Sequence, residues 1–146
     1  MIRAILALLV VAFIVPAYAV KIQKLECFAQ NKTKVEVTFV RAIDPLNPWI
    51  GTYNFGAQLE VFSSRGIYGR TDMRMSPLQY TTDIDMRGDA AGLDGGAVYL
   101  RLSPIVSGGN FSGQYRGQLF VNDLDAKAYF NFRDAGNQPG LTCTAQ

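Results

Sequence analysis

The clearest pattern along the chain is an alternation of period two across residues 114–132, QYRGQLFVNDLDAKAYFNF. Tyr115, Gly117, Leu119 and Val121 alternate with Gln114, Arg116, Gln118 and Phe120, and then Ala126, Ala128, Phe130 and Phe132 alternate with Lys127, Tyr129 and Asn131. Successive side chains of a strand point to opposite faces, so the pattern predicts two strands with one face in a core. Asn122, Asp123, Leu124 and Asp125 lie between the arms. Asn and Asp side chains hydrogen-bond their own backbone, which suits a reversal, so the stretch reads as a β-hairpin.

The same alternation recurs upstream. Residues 22–29 place Leu25, Cys27 and Ala29 on one face, and residues 34–41 place Val35, Val37 and Phe39 on one face, with a turn at residues 30–32. Residues 42–51 form a loop that Pro45 and Pro48 keep out of regular pairing. A third strand is predicted over residues 52–62 and a fourth over residues 78–86, with residues 88–96 as a glycine-rich connector. Residues 63–77 alternate poorly and read as a basic, aromatic loop. Residues 97–103 point Val98, Leu100 and Leu102 inward and end at Pro104, Ser107 to Asn110 make a turn, and residues 141–145 form a short last strand after a loop at 134–140. About eight strands with no helical periodicity predict an all-β domain, an antiparallel β-sandwich or a small β-barrel. The breaks at Pro45 and Pro104 and the irregular 63–77 stretch favour the sandwich.

The N-terminus departs from this pattern. Arg3, an unbroken apolar run over residues 4–15, Pro16 and the triplet Ala17-Tyr18-Ala19 predict a signal peptide cleaved after Ala19. The run falls short of the roughly 20 apolar residues that cross a bilayer. The expected product is one domain, residues 20–146, secreted or periplasmic and without a membrane span. Two cysteines, Cys27 and Cys143, lie near its ends and predict one disulfide tying the first strand to the last.

The formal charge of the whole chain is +2, one unit of it carried by Arg3 of the leader. No global field attracts nucleic acid. The chain has no histidine, which excludes Ser-His-Asp and Cys-His chemistry and imidazole metal ligands. Carboxylates concentrate at Asp83, Asp85, Asp89 and Asp94 with Gly88 among them, a weak match to a calcium loop in which Arg87 stands where a ligand belongs. No cofactor is expected. Trp49 on its loop and Arg65, Tyr68, Arg70 and Arg74 in the basic stretch are the candidate partner-binding residues. Phe28, Phe62, Tyr99, Phe120 and Tyr129 fall on outward faces, where several together would make a second core or a binding patch.

Gly51-Thr52-Tyr53-Asn54 resembles the opening of avidin-like and lipocalin-like barrels, which implies a barrel. It does not lie on the first strand, and the tryptophans of those families are missing, so no site residue follows from it. The leading functional reading is an extracytoplasmic binding or interaction domain for an unknown protein, glycan or small apolar ligand. The alternatives are a lipocalin-like barrel carrying an apolar ligand and a carboxylate-dependent hydrolase acting on envelope glycans. For the hydrolase, Asp83 with Asp85, or Asp123 with Asp125, are the pairs to consider, the latter expected to be wet turn residues.

Overall fold

The computed structural model describes residues 21–47, 56–75, 82–89 and 97–146, which form nine antiparallel strands. These are β1 (Ile22–Ala29), β2 (Lys34–Ile43), β3 (Gly56–Ser63), β4 (Gly66–Met75), β5 (Ile84–Asp89), β6 (Ala97–Ser107), β7 (Asn110–Asp123), β8 (Ala128–Phe132) and β9 (Leu141–Ala145). Each strand from β1 to β7 pairs with its successor. Strand β9 then pairs with β7 on one side and β1 on the other, which closes an eight-stranded barrel. Strand β8 is the ninth. It lies on the same edge of β7 as β9, paired along Leu119–Asp123 where β9 is paired along Gln114–Gly117.

The fold is therefore the barrel, and the leaning toward a sandwich is corrected. Of its supports, Pro45 lies in a turn just past the end of β2, while Pro104 and the irregular stretch are absorbed within strands. Pro104 pairs with Tyr115 inside β6, next to a register shift that takes up the irregularity. The basic stretch is not a loop: β4 runs through it, paired with β3 and β5. One extra residue sits in β4 opposite Ala57–Leu59, so the inward positions run Tyr68, Arg70, then Met73 and Met75. A bulge resets the period and an arginine occupies one inward position, which together erase the alternation in the sequence.

Inside the barrel, the buried side chains come from every strand of the closed ring. Leu25, Phe39, Leu59, Met73, Ile84, Leu100, Tyr115 and Leu119 are among the largest. Eight strands enclose a space just wide enough for side chains to fill, and these buried side chains point into it. Outside, Lys24, Glu26, Lys34 and Glu36 form a charged ladder across β1 and β2, with contacts of 2.7 to 3.3 Å. Charge outside and apolar groups inside is the reverse of a lipid-facing barrel. Among the described residues no helix is long and apolar enough to cross a membrane. The signal-peptide segment lies outside the described residues.

The seam of the barrel is covalent. Cys27 and Cys143 are direct cross-strand partners on β1 and β9, both fully buried, and they are disulfide-bonded across 116 residues of chain. Such a bond belongs to an oxidising compartment.

The chain leaves the β7 edge after Phe132 and returns at Leu141, and glycine marks both sides of that break. A Cβ on Gly117 would stand 1.9 Å from the carbonyl oxygen of Arg101, and one on Gly140 would stand 2.1 Å from that of Phe132. The obstacle is backbone in each case, so relief requires moving a strand. Gly117→Ala is expected to destabilise the fold by about 2–3 kcal/mol, toward the upper end for an overpacked interior. Urea unfolding with an unchanged midpoint would show that β6 yields at this point.

Candidate functional site

The residues singled out in the sequence separate in the structure. Arg65 sits exposed at the β3–β4 turn and Arg74 exposed on β4. Tyr68 and Arg70 point inward, so the four do not make one basic patch. Trp49 lies outside the described residues, as do Asp94 and the side chain of Asp89. Asp83 pairs with Arg101 at 3.2 Å, which raises the Arg101 pKa, and Asp85 lies on β5 opposite Arg101. Ile84–Asp89 is an extended strand bonded on both sides, a shape that spreads its carboxylates along a line where a calcium loop would wrap them. Among the described residues no cluster of three or more metal-ligating side chains occurs.

Asp123 is a correction. It was expected to be a wet turn residue, and it is buried at the inner end of β7. The Tyr68 hydroxyl donates to its carboxylate at 2.8 Å, Arg70 at 3.1 Å and the Ala126 N–H at 3.0 Å. Burial pushes the Asp123 carboxyl up, but these three partners outweigh it and hold it below the ordinary value. Burial, reinforced by the Asp123 hydrogen bond, pushes the Tyr68 hydroxyl up to about 12. Arg70 is also held by Asp72, and a side chain on Gly88 would collide with it. This cluster ties β4 to β7 across the barrel with every member paired. Asp125 is exposed. A carboxylate held ionised beside an arginine is the opposite of a general acid, whose proton must be retained.

The outer wall carries a different arrangement. Strand pairing sets Arg87 of β5, Tyr99 of β6, Phe120 of β7 and Asn131 of β8 side by side in one row. The Arg87 guanidinium lies over the Tyr99 ring at 5.5 Å, and that of Arg133 over Phe120 at 4.6 Å. Tyr129 meets Phe120 edge to face at 5.8 Å. Three of the five outward aromatics thus share one face. The other two, Phe28 and Phe62, lie on β1 and β3 with Lys34 between them and over Phe62.

Two clefts run along this wall and meet at Gln118. One, of about 550 Å³, is lined by Arg87, Tyr99, Phe120 and Arg133. The other, of about 700 Å³, is lined by Arg101, Ser103 and Arg116 on the strands and by residues 134–139 of the β8–β9 loop. Arg87, Arg116 and Arg133 have no carboxylate partner among the described residues. Sequence reading missed these arginines because they are 29 and 17 positions apart, 87 to 116 and 116 to 133, and only pairing gathers them. The available signal was their phase: Arg101 and Arg116 share outward alternation with Tyr99 and Phe120.

Compared with known proteins, the chain matches no family model, no curated protein and no solved structure.

Proposed function

We propose that the chain is an extracytoplasmic binding domain, secreted or periplasmic once the leader is removed, and that the outer wall of β5 to β8 holds an acidic glycan. The observation that carries this reading is the pair of guanidinium groups set over the rings of Tyr99 and Phe120 with no carboxylate of their own among the described residues. A guanidinium held over a ring keeps N–H donors that carboxylate oxygens accept in pairs. Tyr129, 63 % exposed, offers a ring on which the apolar face of a sugar packs. The two clefts joined at Gln118 make a long shallow track, which suits a chain better than a compact small molecule.

Binding accounts for these residues without a catalytic acid. The reading is tested by calorimetric titration of the mature protein with polygalacturonate and, as the neutral counterpart, dextran. The acidic polymer is expected to bind, less tightly as salt rises. Arg87→Ala combined with Arg133→Ala, which leaves both rings in place, is expected to weaken binding by about 100-fold, since a hydrogen bond to a charged group contributes roughly 1.5–3 kcal/mol. Equal affinity for both polymers, or indifference to the double substitution, overturns the proposal.

A further inference from the structure

Strand β8 has one edge with no described strand beside it. Among the described residues every other strand is bonded on both sides, whereas β8 pairs with β7 alone. The cause lies in the way the chain closes. Strand β1 covers the second edge of β9, but it ends at Ala29, opposite Leu141, the first residue of β9. Beyond that point no described strand runs alongside β8, and a cleft of about 750 Å³ opens between it and the tips of the β1–β2 and β3–β4 hairpins.

The cleft has a floor, a rim and an unmet hydrogen-bonding side. Its floor is aromatic: Tyr68 lies 6.0 Å from Phe130, which lies 5.9 Å from Phe132. On the rim, Ile67 and Tyr129 are 65 % and 63 % exposed, an unusual outlay of apolar surface for one opening. Arg65 and Lys127 also line it, and no carboxylate does. The backbone groups along the outer edge of β8 face this opening, because alternate N–H and C=O groups of an edge strand point away from its partner.

We infer that this cleft takes an extended peptide segment of another protein, which adds to β8 as a further strand. The edge supplies main-chain hydrogen bonds, the aromatic floor takes every second side chain, and Arg65 and Lys127 meet a carboxylate at the ends of the segment. A second copy of this chain fits worse: pairing two β8 edges about a twofold axis brings the cationic rims together. The site is independent of the outer wall, although Tyr129 borders both.

The test uses the mature, oxidised protein and an acetylated heptapeptide that alternates valine and threonine with a glutamate at each end. Its comparison is the same peptide with alternate amides N-methylated. With the first peptide, β8 amides are expected to exchange at least tenfold more slowly, with NMR shift changes confined to residues 31–33, 63–69 and 126–132. The N-methylated peptide is expected not to bind, and Arg65→Glu with Lys127→Gln to weaken the first peptide about tenfold. Equal binding of both peptides, shift changes on the Arg87 and Phe120 wall, or no binding at millimolar peptide overturns the inference.

Discussion

Replacing Cys27 and Cys143 together by alanine is expected to lower stability by about 4–5 kcal/mol, the loop-closure entropy that a crosslink spanning more than a hundred residues removes from the unfolded chain. The native side loses little by comparison, because both positions are buried in an apolar interior that accepts a methyl group. A domain of this size has about 5–15 kcal/mol in total, so the loss is a large part of it. The melting temperature is expected to fall on the order of 15 °C. The bond also spans the seam between the first and last strands, so without it that seam depends on five register pairs and the hydrogen bond from the Gln146 N–H to the Lys24 carbonyl. Hydrogen exchange is therefore expected to quicken first along β1 and β9. A melting temperature that falls by only a few degrees would show that the unfolded chain is already compact at these ends.

Asp123→Ala comes next in size, at about 3–4 kcal/mol, toward the lower end for breaking a buried ion pair because Asp72 still holds Arg70. The substitution strands the Tyr68 hydroxyl and the Arg70 guanidinium inside the barrel mouth. Tyr68→Phe removes only a donor and is expected to cost about 1 kcal/mol. The cluster also sets an acid dependence. The Asp123 carboxyl titrates lower in the folded protein than in the unfolded chain, so its contribution is complete above the ordinary value of 3.8 and is lost as pH falls through the folded value. Wild-type stability should therefore drop below about pH 4 by more than that of Asp123→Asn. Parallel acid profiles for the two proteins would remove Asp123 from the account.

The strand signals that could be read in advance share one property: an inward apolar residue at every second position. β1, β2, β6 and both arms of the β7–β8 hairpin have it, and all appear with the predicted inward faces except at Ala126, which is exposed in the turn before β8. The signal failed at β4, where Arg70 points inward and a bulge shifts the phase before Met73. Arg70 is held there by Asp72 two residues on and by Asp123 on β7, which reaches it from the far side of the barrel in a relation 53 residues long that no local window contains. Asp123 was misread for the same reason. Its sequence neighbours are turn residues, while its partners come from β4.

The candidate wall shows the same division. Alternation alone placed Tyr99, Phe120 and Tyr129 on outward faces, because the residues between them are apolar and must turn inward. That these rings are neighbours, and that Arg87 and Arg133 lie over two of them, depended on register across four strands. The sequence by itself determined the all-β class, the disulfide and which face of most strands is apolar, since those follow from local periodicity and from two cysteines with no other partner. Only the tertiary structure decided the barrel over the sandwich, the inward Arg70 and Asp123 pair, the free edge of β8 and the gathering of distant arginines. Each of these is a matter of which strand lies beside which, and backbone hydrogen bonds that join strands carry no side-chain signature in the chain that forms them.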